Sequence, residues 1–196
     1  MKRNLISKGL LIVIGIILIS CQDQEKNTNN IPEVESEIVN TNFDKEKESE
    51  IIRQVISKET RSFFERDYDE WSTYWIKEEN AFRAGNGPDS TYVLYGWENI
   101  SDYVENYDDS FYAENEKPKY SNPKRKKFDI KFNSDRSAYV KWNQYNLVEE
   151  ENKYYLSRES RLMQKEDDQW KIINVISFWD RTKPINPFEI ESQFKD

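Results

Sequence analysis

The chain has 196 residues, of which 36% are apolar and 34% charged, with a formal net charge of −8, one cysteine and no histidine. A single cysteine excludes an intrachain disulfide and a cysteine metal site, and the lack of histidine removes the usual general base near neutral pH, Ser-His and Cys-His nucleophiles and histidine metal ligands. The acidic balance disfavours nucleic acid and anionic lipid headgroups as partners.

Lys2, Arg3 and Lys8 precede an apolar run, Gly9 to Ile19, which breaks at Ser20 and Cys21. This is the layout of a secretory signal over residues 1–20. The run is well short of the roughly 20 apolar residues that a membrane-spanning helix needs, and the polar Gln22, Asp23, Gln24 and Glu25 follow at once. Leu18, Ile19 and Ser20 ahead of Cys21 resemble the lipobox of bacterial lipoproteins. The resemblance implies that Cys21 is acylated, palmitate being the expected chain type, and becomes the first residue of a mature protein anchored by lipid at the cell envelope. In a Gram-negative host the outer membrane or the cell surface is implied, because Asp23 and Glu25 resemble acidic surface-export signals. Loss of Lys2, Arg3 and Lys8 would take the charge from −8 to −11.

From Gln22 to Lys47 the chain is rich in Asn, Glu, Ser and Thr without apolar periodicity, so residues 21–47 read as the lipidated cysteine and a disordered tether. Such a tether spans roughly 25 to 30 Å by random-coil scaling. A single domain is expected over residues 48–180, with a tail at 181–196.

Ile51, Ile52, Val55, Ile56, Phe63 and Phe64 recur with helical spacing over Glu48 to Arg66. Asp67 three positions before Glu70 starts a second short helix with Trp71, Tyr74 and Trp75 on its apolar face. Tyr92 to Tyr95 reads as a short strand, and Trp97, Ile100, Tyr103, Val104 and Tyr107 suggest a third helix after Gly96. The basic run Lys124 to Lys127 reads as a solvated loop entering a strand, with an anion site as the alternative. The period then changes to two. Phe128, Ile130 and Phe132 alternate with polar residues, and turns at Asn133 to Arg136, Glu149 to Asn152 and Glu166 to Asp168 separate strands at Ser137 to Val148, Lys153 to Lys165 and Trp170 to Trp179. Helices followed by a meander indicate the α+β class.

The order of elements, with Asp67 to Trp71, Gly96-Trp97-Glu98-Asn99-Ile100 and Asp168-Gln169-Trp170-Lys171-Ile172, resembles the nuclear transport factor 2-like superfamily of SnoaL-like and ketosteroid isomerase-like proteins. The resemblance implies a cystatin-like cone, a curved antiparallel sheet wrapped around the long first helix with a pocket open at one end. It also implies possible homodimers through the outer sheet face. The isomerase branch uses a helix tyrosine, an aspartate base and a protonated acid on a late strand. Counting places Glu59, a residue near Arg83 and Ser160 at those positions, to within a residue or so, and none keeps the family's residue type.

Glu59 falls in the apolar stripe of the first helix, where a carboxylate is costly unless it is paired or faces a cavity. Two readings stay open: a partner for a buried arginine, with Arg158 the choice, or a ligand contact. Trp71, Trp75, Trp142, Gln144, Arg158 and Ser160 complete the expected ligand-binding set, with core packing the simpler account of each tryptophan. No cofactor and no metal site is expected. Three functions remain: an envelope module that binds a small, partly apolar ligand without catalysis; a lyase, isomerase or hydrolase using Glu59; or a protein-binding lipoprotein with a vestigial pocket.

Overall fold

The computed structural model describes residues 43–87, 90–106 and 122–194. Cys21, the signal and nearly all of the expected tether lie outside these residues.

Helix α1 (Lys45–Phe64) starts three residues before Glu48, because the Asp44 side chain caps it by accepting from the N–H groups of Glu46 and Lys47. Phe43, just ahead of the cap, packs edge-on against Phe132 at 5.0 Å between ring centroids. Phe43 to Lys47, inside the span expected to be tether, are therefore part of the folded domain. Ile52 and Ile56 are fully buried on the helix face that also carries Glu59. Asp67 caps α2 (Tyr68–Thr73) through the Glu70 N–H, as expected from the sequence.

Strands β1 (Phe82–Asn86) and β2 (Thr91–Tyr95) form a hairpin, and α3 (Trp97–Glu105) follows Gly96, whose φ of 79° suits glycine. The meander comprises β3 (Lys124–Ser134), β4 (Ser137–Val148), β5 (Lys153–Glu166) and β6 (Gln169–Ile185). The strands lie in one sheet in the order β2-β1-β6-β5-β4-β3. An all-antiparallel sheet was expected, but β1 runs parallel to β6. Asn86 extends this parallel seam with its side chain, donating to the Trp179 carbonyl at 2.9 Å and accepting from its N–H at 2.7 Å. The basic run is part of β3, and a bulge at Lys127, with φ 56°, re-aims the strand.

The last strand does not stop at Trp179. It continues to Ile185 and leads into α4 (Pro187–Gln193), so the residues expected to be a tail are ordered structure as far as Phe194. Ile190 is fully buried, Lys124 pairs with Glu191 at 2.5 Å, and the Phe194 ring meets Tyr145 edge-on at 6.0 Å. Because Tyr145 lies on the outer face of β4, α4 covers one end of that face.

The core lies between the sheet and the helices: Ile52 and Ile56 from α1, Trp71, Trp75 and Ile100 from the α2–α3 side, and Val140, Met163, Ile172 and Val175 from the strands. Each such side chain contributes roughly 1.5 to 3 kcal/mol on full burial. Among the described residues, no helix is long and apolar enough to cross a membrane.

Candidate functional site

Strand register decides what the inner face carries. Arg83 lies opposite Val175, Val175 opposite Arg161, and Arg161 opposite Val140, so these four side chains form one row across β1, β6, β5 and β4. The next row is Tyr92, Gly85, Ser177, Glu159 and Trp142, and a third holds Trp179, Ser157, Gln144 and Arg125. Small residues, Gly85, Ser177, Ser157 and Val175, occupy the middle of this concave face, with Tyr92 and Trp142 at its sides. A Cβ on Gly85 would meet the Ser177 carbonyl oxygen at 2.6 Å and the Tyr92 hydroxyl at 2.8 Å, so only glycine lets the Tyr92 hydroxyl lie over β1.

Four charged side chains are buried together here. Glu59 is 2% exposed, Glu159 4%, Arg161 6% and Arg83 7%. The Trp71 indole N–H donates to Glu59 Oε1 at 3.1 Å, while Glu59 Oε2 lies 4.0 Å from Arg161 Nη2. Arg161 Nη1 donates to Glu159 Oε2 at 3.0 Å and to the Ser160 carbonyl at 2.9 Å, and the Ser177 hydroxyl donates to Glu159 Oε1 at 2.7 Å. Aromatic faces back both guanidiniums, Trp142 at 5.0 Å from Arg161 and Phe63 at 4.9 Å from Arg83. Burial disfavours the charge of Arg83, but Tyr92 and Glu59 outweigh it and hold the group above its ordinary range.

A chain of polar side chains, entered by the Arg125 guanidinium and otherwise uncharged, continues from this cluster. Arg125 Nε and the Trp142 indole N–H both donate to Gln144 Oε1, at 2.9 and 3.2 Å. Gln144 Nε2 donates to Asn146 Oδ1 at 2.9 Å, and Asn146 Nδ2 to the Ser157 hydroxyl at 3.0 Å. These amides are buried and satisfied, as buried amides must be.

The structure brings Glu59 of α1 and Trp71 of α2, through Arg161, to Trp142 and Gln144 on the inner face. Trp75 instead packs with Trp71 and Trp97, at 5.4 and 6.1 Å, inside the apolar core. Arg158 and Ser160 are corrected outright. Arg158 is exposed, opposite Asn143 and the outward Phe178, and Ser160 shares that outer face opposite Lys141 and Ile176. The guanidinium beside Glu59 belongs to Arg161. Side chains alternate along a strand, so an error of one residue in facing exchanges the whole set. The same shift puts a buried carboxyl, Glu159, beside the position counted as Ser160, so the late strand does carry an acid into the cone. Asn146, Ser157, Glu159, Arg161 and Ser177 were not anticipated as site residues, and Arg83 only as marking the neighbourhood of the family's base position. Among the described residues, no three acidic or thiol side chains converge as a metal site requires.

The outer face carries an apolar patch at the end away from α4. Tyr95 lies opposite Phe82 and Val93 opposite Ala84, and Ile176 and Phe178 continue the patch on β6. Val93, Tyr95, Ile176 and Phe178 are all exposed.

No protein-family model and no curated protein sequence matches the chain. Solved structures do. A candidate scytalone dehydratase from Novosphingobium aromaticivorans DSM 12444 superposes with a TM-score of 0.53 at 14% identity, over 72% of this chain and 93% of that one. A cystatin-like fold protein from Burkholderia xenovorans LB400 gives 0.51 at 15% identity, over 72% and 95%. An NTF-2 like protein of unknown function from Shewanella oneidensis MR-1 gives 0.48 at 21% identity, over 67% and 98%. The fold is therefore the cystatin-like, nuclear transport factor 2-like α+β fold expected from the sequence.

Proposed function

We propose that this chain is a lipid-anchored protein of the bacterial cell envelope whose domain binds a small, partly apolar ligand on the inner face of its sheet without transforming it. The observation that carries the reading is the buried polar set on that face, Gln144, Asn146, Ser157, Glu159 and Arg161, with Glu59 of α1 against it, where a domain of this size gains most by burying apolar side chains. Both carboxylates are engaged, Glu59 by Trp71 and Arg161, Glu159 by Arg161 and Ser177. Both oxygens of Glu159 accept hydrogen bonds, and Glu59 holds Trp71 on Oε1 and faces Thr60 at 3.4 Å and Arg161 at 4.0 Å on Oε2, so neither acid stands apart from protein donors as a general base awaiting a substrate proton does. Native mass spectrometry of the protein from its own host tests this. A retained small molecule supports it, and an empty protein that also binds nothing in a broad thermal-shift screen refutes it.

The anchor rests on Leu18-Ile19-Ser20-Cys21 behind the short apolar run. Metabolic labelling with a fatty-acid analogue should mark the wild type and not Cys21→Ser, and equal labelling of the two would remove the anchor from the reading. The exposed patch of Val93, Tyr95, Ile176 and Phe178 supports a second copy as partner. Sedimentation equilibrium should give a dimer mass that Tyr95→Glu reduces to monomer.

A second reading has one observation in its favour. Two buried acids, Glu59 and Glu159, face the same cone, and one structure sharing the fold is described as a candidate dehydratase. In a lyase or isomerase of this kind, Glu159→Gln would abolish turnover while leaving ligand affinity nearly unchanged. In the binding reading the same change weakens folding and affinity together.

A further inference from the structure

We infer that the ligand of this cone is a neutral molecule presenting a hydrogen-bond acceptor of the carbonyl class to Arg83 and Arg161, and that organic anions are excluded; this rests on the binding reading above. Glu59 and Glu159 already balance Arg83 and Arg161, so the buried set sums to zero formal charge. An arriving anion would add an uncompensated buried charge, and Arg161 is already committed to Glu159 and Glu59 while Arg83 is held by Tyr92 and by the charge of Glu59. Yet each guanidinium keeps one donor in reserve. The Nε–H groups of both Arg83 and Arg161 are buried without a hydrogen-bond partner. A buried N–H left unmade is costly, and an uncharged acceptor relieves it without disturbing the charge balance. The two guanidiniums stand in one cross-strand row with only Val175 between them, next to a row in which Gly85 and Ser177 leave the floor low. Phe63 and Trp142, which back the guanidiniums, give the apolar part of such a ligand ring faces to lie against.

The test uses three probes of one ring system on the full chain, followed by tryptophan fluorescence and saturation-transfer NMR at pH 7. 2-Acetylnaphthalene is neutral with a carbonyl, 2-naphthoate is an anion, and 2-ethylnaphthalene has no acceptor. The ketone should bind about tenfold tighter than either of the others, the difference one well-made buried hydrogen bond supplies. Arg83→Lys and Arg161→Lys keep the charge but lose the planar donor fork, so each should weaken the ketone about tenfold and leave 2-ethylnaphthalene unchanged. Naphthoate binding as tightly as the ketone, or the hydrocarbon matching it, overturns the inference while the binding reading stands. If no probe binds, the inference is overturned as well, and the binding reading falls with it only where native mass spectrometry also finds no retained molecule. Should the lysine variants fail to fold, the order of the three probes on the wild type decides.

Discussion

Changing Glu59 to Gln measures how the cone's charges hold one another. Gln keeps an acceptor for the Trp71 indole N–H, now 3.1 Å from Oε1, and removes only the charge facing Arg161 at 4.0 Å and Arg83. Removing one member of a buried pair typically costs about 3 to 5 kcal/mol because the other is stranded. Here Arg161 retains Glu159 at 3.0 Å, and the Glu59 contact is at the outer limit of an ion pair, so the cost should fall to about 2 kcal/mol. Arg161→Met strands two carboxylates and should reach about 4 kcal/mol. For a domain of this size these correspond to Tm decreases of roughly 6 and 12 °C. The assay is urea and thermal unfolding by circular dichroism on both single variants and the double. The double should cost less than the two singles added, since removing Glu59 relieves part of what losing Arg161 exposes. A Glu59→Gln protein as stable as the wild type, with strictly additive losses in the double, would refute the paired carboxylate and return Glu59 to an unsatisfied position facing ligand.

Gly85→Ala should cost about 2 kcal/mol or more in urea unfolding, because its Cβ meets the Ser177 carbonyl oxygen at 2.6 Å, and it should displace the Tyr92 hydroxyl; unchanged stability would show that β1 can shift. A chain starting at Phe43 should be as stable as one starting at Gln22, whereas one starting at Glu48 loses the Asp44 cap and the Phe43 contact and should be about 2 kcal/mol less stable. Burial, with the Glu70 hydrogen bond and charge, raises the Tyr74 pKa to about 12, so its stabilising contribution is complete below pH 10 and is lost as pH rises from 10 toward 12. The stability gap between wild type and Tyr74→Phe should close over that interval, and a gap constant from pH 8 to 12 would count against the bond. Burial opposes the charge of Glu48, but Lys165 and the Trp170 indole N–H outweigh it and hold its pKa below the model-compound value of 4.5. Its contribution is therefore full above pH 4.5 and lost as pH falls through the lower folded value, so Glu48→Gln should be less stable at pH 7, with the difference vanishing in acid.

The helices and the meander were legible because their signals are local: Asp67 before Glu70, Gly96 before Trp97, and alternation in β4 with bounds that match Ser137–Val148. Strand β1 was not, since Phe82-Arg83-Ala84-Gly85-Asn86 lacks alternation and owes its state to pairing with β6, far along the chain. The facing of β5 was legible in principle. With the turn at Glu149 to Asn152 identified, pairing Val148 with Lys153 carries outward to Trp142 opposite Glu159 and Val140 opposite Arg161. The inward face of β4 then fixes that of β5. Choosing the face from Leu156 and Leu162 instead selected Arg158 and Ser160, because the outer face of this sheet is itself partly apolar.

That partly apolar outer face sharpens the question of why charges stand inside. Replacing a buried ion pair by well-packed apolar side chains is often neutral or stabilising by about 1 to 4 kcal/mol, so four buried charges are not kept for stability alone. A second use of buried charge is to fix register. Here register is fixed without them: β4 and β5 pair without interruption from Ser137 with Gln164 to Val148 with Lys153, and close through a short turn. Slipping β5 by one residue would turn Met163 and Arg161 outward and bring Arg158 and Leu162 inward, a penalty carried by apolar side chains as much as by charges. With stability and register both provided for by other residues, a balanced charge set with two donors to spare has its place in the proposed binding reading, and the probe order across ketone, carboxylate and hydrocarbon tests that reading more directly than any stability measurement does.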